Sequence, residues 1–217
     1  MDGMDISAES FKAIFFDFDG VLAECTNVKT EAFAQLFEQF GDKIVKKVVK
    51  HHVENGGISR YVKIQHYYLE YLDEQISKGK INDIAQQFSD IVVKKVIESS
   101  WVNGAKEFLE KYHNSIDLYV ISGTPEDELK EIVKERRMDK YFKGVYGSPD
   151  TKPVIAKRII SDKGYNPDEV IYIGDSISDY RDAVKAEIPF LGRVLPGSIS
   201  PFPEEIPKIT DFFDIIK

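Results

Sequence analysis

The chain has 217 residues, 42% of them hydrophobic and 12% aromatic, which suffices for one large domain or for a domain carrying an insert. A formal net charge of −8 disfavours nucleic acid or an anionic membrane as the main partner, and the 30% of charged residues form no long polar tract, which argues against disorder. The single cysteine, Cys25, rules out an internal disulfide and reads as a small residue near the core.

No apolar run approaches the roughly 20 residues that span a bilayer, so no membrane partner is expected. Residues 1–10 are acidic and lack the basic-then-apolar pattern of a signal peptide, and a soluble cytoplasmic protein is the expectation.

In chain order, Ile14 to Phe16 read as a short buried strand that ends in Asp17, Asp19 and Gly20. Two acids so placed can hold a cation, or supply a nucleophile and a proton donor; the plain alternative is an Asp-Gly turn. Residues 24–98 look almost wholly helical, with four or five helices in a bundle-like insert. Phe33, Leu36, Phe37 and Phe40 share one helical face; Ile44, Val45, Val48 and Val49 continue it, and Ile84, Phe88, Ile91 and Val92 give another. Ile58, Tyr61, Val62, Tyr68, Leu69 and Leu72 are expected to form one buried stripe. Asn55-Gly56-Gly57 breaks the helical run.

From residue 99 onward strand and helix alternate. Asp117–Ser122, Gly144–Gly147, Glu169–Asp175 and Pro189–Gly192 read as strands, the last of them short. Thr124 is expected to cap the helix that follows it, with Pro125 in first position. Val154–Ile160 and Ile177–Ala186 read as helices, 196–207 as a Pro- and Ser-rich loop, and Ile209–Ile216 as a final helix. The alternation predicts an α/β fold: a Rossmann-like parallel sheet with helices on both faces and an inserted helical-bundle cap. The expected division is a core of residues 1–23 and 99–217 and a cap of residues 24–98.

In a parallel sheet the carboxyl ends of the strands share one edge. There the sequence places Asp17 and Asp19, then Ser122-Gly123-Thr124, then the stretch Gly147-Ser148-Pro149-Asp150-Thr151-Lys152, then Gly174-Asp175 with Asp179. Asp17, Asp19, Asp175 and Asp179 cannot all be ionised in a dry cleft without a cation, and hard oxygen ligands with few carboxylates suit Mg2+. Lys152, Ser122 and the backbone N–H of Gly123 complement an anion. Together these describe phosphoryl transfer through an aspartyl phosphate.

Asp-Phe-Asp-Gly-Val, Ile-Ser-Gly-Thr, Lys152 and Gly-Asp-Ser-x-x-x-Asp, in that order, resemble the four motifs of the haloacid dehalogenase-like hydrolase superfamily. The insert resembles the helical cap of its phosphoglycolate phosphatase and β-phosphoglucomutase subgroup. The resemblance implies that Asp17 attacks phosphorus and that Asp19 serves as acid, then base. It implies that Ser122, Gly123 and Lys152 hold the phosphoryl group. Asp17, Asp175 and the backbone carbonyl of Asp19 would bind Mg2+, and Asp179 would support the metal or orient Lys152. Gly57, Ser59 and Arg60 resemble the substrate-reading loop of β-phosphoglucomutase-like caps, where the arginine meets a second anion. His51, His52 and His66 offer no metal-binding spacing and read as ordinary surface or interface residues. The expected activity is a phosphatase acting on a small phosphorylated metabolite, a sugar phosphate or phosphoglycolate-like acid. The alternatives are a phosphomutase and a non-catalytic binder of phosphorylated ligands.

Overall fold

The computed structural model describes residues 8–55 and 59–216. Six strands form one parallel sheet: β1 (Ala13–Phe16), β2 (Asp117–Pro125), β3 (Gly144–Ser148), β4 (Val170–Gly174), β5 (Phe190–Arg193) and β6 (Lys208–Ile209). Their spatial order is β3-β2-β1-β4-β5-β6. The order reverses at β1, which lies between β2 and β4, and such a switch point opens a crevice at the carboxyl ends.

Every residue of β1 is buried, as a central strand covered on both faces requires. On one face Phe15, Tyr119, Ile121 and Tyr172 pack with Ile155, Ala156 and Ile159 of α7 (Lys152–Lys163) and with Ala183 and Ala186 of α8 (Ile177–Ala186). On the other, Phe16 meets Phe108 of α5 (Ala105–Tyr112) and Phe212, with ring centroids 6.0 and 6.1 Å apart. Ring burial of this kind contributes about 1.5–3 kcal/mol per side chain. Helix α6 (Glu126–Glu135) lies against β2 and β3.

The chain divides into two compact units, Met1–Cys25 with Ser99–Lys217, and Thr26–Glu98. The second holds α1 (Val28–Phe37), α2 (Asp42–Glu54), α3 (Arg60–Leu72) and α4 (Lys78–Glu98). Its core is a ring cluster in which Tyr67 meets Phe33 and Phe37 edge-on at 5.6 and 5.4 Å, and Phe33 lies 4.4 Å from Phe88. No described helix is long and apolar enough to cross a membrane.

Three expectations are corrected. Helix α3 turns Lys63, Ile64, Tyr67 and Tyr68 inward, while Tyr61, Val62 and Leu69 are exposed; Ile58 lies outside the described residues. Tyr68 of the expected stripe is buried, but the ring contacts of Tyr67 set a rotation of the helix that leaves Tyr61, Val62 and Leu69 outside. Thr124 does not cap α6: it is the penultimate residue of β2, Pro125 takes the N-cap position, and no side chain bonds there. Residues 209–216 form no α-helix. Ile209 instead pairs with β5, and one 3-10 turn, Phe212–Asp214, follows. The Asp211 carboxylate accepts from Phe213 N–H, and the Asp214 carboxylate accepts from Thr210 N–H, so local side-chain bonds displace the helical ladder. Helix α5, which the sequence reading did not mark, fills the connection before β2.

Candidate active site

β1 stops where Asp17 N–H donates to Ile173 O at 2.9 Å, which fixes Asp17 beside the end of β4. Gly20 takes φ +72°, and the N–H groups of Val21, Leu22 and Ala23 return to Phe18 O. The turn carrying Asp19 is therefore closed by its own backbone. Arg193 of β5, 2% exposed, ties that turn down: its guanidinium donates to Gly20 O at 3.1 Å and to both Glu24 oxygens at 3.1 and 2.5 Å.

Lys152 opens α7, and its Nζ stands 2.9 Å from Asp17 Oδ1 and 2.5 Å from Asp179 Oδ1. At 2.9 Å Lys152 and Asp17 Oδ1 form a buried ion pair, and among the described residues that oxygen has no hydrogen-bond partner besides the ammonium. Below the ammonium lies the ring of Tyr172, 5.8 Å away, whose hydroxyl donates to Ile121 O at 2.7 Å.

Asp179 is buried on the first turn of α8. Its Oδ2 accepts from Ser176 N–H at 3.1 Å and from Ser176 Oγ at 2.6 Å, while Asp179 N–H donates to Ser176 Oγ at 3.2 Å. This reciprocal cap leaves Oδ1 for Lys152. Gly174 has no room for a side chain, because a Cβ there would lie 2.4 Å from Asp179 Cβ. Ser122, buried in β2 just before the strand's last three residues, accepts Thr124 N–H on its Oγ at 3.2 Å and keeps its hydroxyl hydrogen for another acceptor. Gly123 beside it is exposed, and open space surrounds its Cα.

Carboxylate oxygens of Asp17, Asp175 and Asp179 lie within 4.8 Å of one another. Their crowding has an electrostatic signature. Burial pushes the Asp17 carboxyl up to about 6; Lys152 opposes the rise, and Asp179 and Asp19 add to it. Burial, followed by Asp17 and Asp179, pushes Asp175 up to about 8. Burial alone would pull the Lys152 ammonium down, but Asp17, Tyr172 and Asp179 carry it well above its usual range. One lysine does not neutralise this set, and a divalent cation on hard oxygen donors would. The residues fit Mg2+ on that ground.

Of the sequence-predicted residues, Asp17, Lys152, Asp175 and Asp179 come together. The Asp19 carboxylate lies outside this set and accepts from Cys25 Sγ at 3.0 Å. Arg60, the first residue of α3, bonds Ser89 Oγ and stands 5.1 Å over the Phe88 ring. Ser59 is its exposed N-cap, and Gly57 lies outside the described residues. Sequence reasoning missed Tyr172, Arg193 and the Cys25–Asp19 contact. The Ser176-x-x-Asp179 spacing of a capping box was a legible signal for the cap. Nothing local marks the other three, whose partners lie far along the chain or across a turn.

Carboxylates and a lysine thus converge at the switch point of a doubly wound parallel sheet, where such folds place their ligand sites. The model of the haloacid dehalogenase-like hydrolase family matches residues 14–193, and the chain belongs to that family. Among solved structures it is similar to a haloacid dehalogenase hydrolase of family IA, variant 3, from Entamoeba histolytica (15% identity, TM-score 0.75, covering 95% of this chain and 96% of that one). It is also similar to the hydrolase YfnB from Bacillus subtilis bound to magnesium (16%, 0.71, 94% and 96%). A third is a predicted phosphoglycolate phosphatase from Haemophilus somnus (18%, 0.70, 95% and 96%). No curated protein sequence matches significantly.

Proposed function

We propose that the protein is a Mg2+-dependent phosphatase that hydrolyses a small phosphorylated metabolite through a phosphoryl group carried on Asp17. The observation that carries this reading is Lys152 Nζ set between Asp17 Oδ1 and Asp179 Oδ1 at the sheet's switch point. A lysine so held is charged, next to a carboxylate that can bond phosphorus, and lies on the same sheet edge as the Ser122 hydroxyl.

In this mechanism ionised Asp17 forms the O–P bond as the ester bond breaks. Asp19 gives a proton to the leaving oxygen, then takes one from the water that attacks the phosphoaspartate. Ser122 O–H, Gly123 N–H and Lys152 bind the transferring phosphoryl oxygens. Tyr172 holds the Lys152 ammonium from below and keeps water from that side. Asp17, Asp175 and the Asp19 carbonyl would hold Mg2+, with Asp179 in support; the ion supplies positive charge at the phosphoryl oxygens. The helical unit, through Arg60, Ser59 and Gly57, selects among substrates.

Release of inorganic phosphate from an aryl phosphate tests the reading. Activity is expected with Mg2+, lost on chelation, and lowered at least a hundredfold in Ser122→Ala or Lys152→Ala. Turnover indifferent to chelation and to both substitutions would overturn it. Phosphomutase is the nearest alternative; a hexose 1-phosphate with a trace of bisphosphate would then give isomer instead of inorganic phosphate.

A further inference from the structure

Arg193 is a charged side chain in a place where an apolar one would serve the fold. It ends β5, and its side chain is 2% exposed against 32% for its partner Glu24. Its Nε donates to Thr210 O at 3.2 Å, Nη1 to Gly20 O and to Glu24 Oε2 at 3.1 Å each, and Nη2 to Glu24 Oε1 at 2.5 Å. A guanidinium grips a carboxylate in this two-pronged way in one plane, which a lysine cannot copy. Burying such a pair adds little net stability, and apolar residues of equal volume often hold a fold as well. What the pair adds here is geometry.

That geometry reaches Asp19 by two routes. Through the backbone, Gly20 N–H donates to Ala23 O at 2.8 Å, which sets the plane of the peptide that carries the Asp19 carbonyl. Gly20 O, on the next peptide, is held by Arg193. Both peptides around Gly20 are thereby fixed, although a glycine at φ +72° is the freest residue of the turn. Through the side chains, Arg193 grips Glu24, whose N–H donates to Ser100 O at 2.9 Å. The next residue, Cys25, donates from Sγ to Asp19 Oδ1 at 3.0 Å. The thiol therefore meets the Asp19 carboxylate from a backbone that Glu24 anchors. All of these residues belong to the unit of Met1–Cys25 and Ser99–Lys217.

We infer that Arg193 and Glu24 are positioning residues for proton transfer, their ion pair setting the Asp19 carboxyl in the orientation that serves the leaving oxygen. The inference rests on the phosphatase reading, in which Asp19 is first acid and then base. Arg193 acts through the turn, and the proton moves only at the Asp19 carboxyl. A loosened turn leaves the attack by Asp17 intact and slows the departure of a basic leaving group, which needs that proton.

The full chain tests this at saturating Mg2+ with two esters, an alkyl phosphate and an aryl phosphate. Arg193→Lys keeps the charge and loses the fork, and Glu24→Gln keeps the size and loses the charge. Each is expected to lower kcat about tenfold or more on the alkyl ester and less than about threefold on the aryl ester, with KM unchanged. Equal losses on both esters would make the pair merely structural and overturn the inference, as would unchanged kcat on both. A second readout needs no turnover. Cys25 is the one cysteine of the chain, so no other thiol overlaps its S–H stretching band in the infrared. The band is expected at lower frequency in the parent than in Asp19→Ala, which lacks the carboxylate acceptor. Arg193→Lys is expected to move it towards the Asp19→Ala position. A band in Arg193→Lys identical to the parent's would show that the pair does not hold Asp19, and would overturn the inference. If the parent hydrolyses neither ester the phosphatase reading fails, and the S–H band then decides alone whether the pair sets Asp19. Glu24→Gln carries both measurements if Arg193→Lys does not fold.

Discussion

At the residue scale the different roles proposed for Asp17 and Asp19 are argued from their surroundings. Asp17 is held at the strand end against Ile173 and beside Lys152. Asp19 sits past it on a turn, its carboxylate bonded by the Cys25 thiol. Removing the proton donor is expected to matter most where the leaving group is basic. Asp19→Ala should slow an alkyl phosphate by about 10²–10⁴ and an aryl phosphate much less, as steady-state rates on the two esters would show. Equal losses on both would refute the acid role. Asp17, Lys152, Asp175 and Asp179, which the structure brings together, were legible because each lies at or soon after the end of an apolar run. The burial of Lys63 was not legible. A lysine inside a helical pattern reads as surface, and only packing shows that this one is buried.

At the element scale the site depends on how α8 and β5 meet the strand ends. Gly174 leaves the space that Asp179 fills, so Gly174→Ala drives a Cβ to 2.4 Å from Asp179 Cβ. That substitution is expected to cost about 1–3 kcal/mol in chemical denaturation and to misplace the partner of Lys152, lowering kcat. Arg193→Met removes the ties to Gly20 and Glu24 and is expected to destabilise by about 1–3 kcal/mol. A variant of unchanged midpoint would show that the turn holds itself.

Strands β1 to β5 and helices α7 and α8 were readable from apolar runs and helical periods, since each buries its own pattern locally. The end of the chain was misread for a physical reason. The apolar residues of 209–216 follow a helical rhythm, but Ile209 pairs with β5, and buried Phe212 packs against Phe108 at 5.2 Å, its N–H donating to Asn103 O. Those contacts are non-local, and no period records them. The rotation of α3 was misread in part likewise, because the ring contacts of Tyr67 decide which face turns inward.

At the scale of the whole molecule, a chain of net charge −8 gathers three carboxylates around one lysine. Without a cation the folded state holds protons more tightly than the unfolded chain does at Asp17 (about 6 against 3.8) and at Asp175 (about 8 against 3.8). Raised carboxyl values of this sign make the metal-free protein more stable as pH falls from about 8 towards 4, and less stable as it rises through the same window. Melting in chelator should therefore shift upward by several degrees between pH 8 and pH 6. Added Mg2+ should stabilise most at the alkaline end and flatten the trend. A metal-free melting temperature that rises with pH across this range would contradict the crowding of the three acids.

The central claim is that Asp17 carries the phosphoryl group. It is tested most directly by acid-quenching the Asp19→Asn protein during reaction with an aryl phosphate and Mg2+, then locating any phosphorylated peptide by mass spectrometry. The account predicts a phosphoryl group on the peptide containing Asp17, absent when Asp17→Asn is added, with turnover by Asp17→Asn alone reduced at least a thousandfold. Undiminished turnover by Asp17→Asn, with no phosphopeptide at any time, would contradict it.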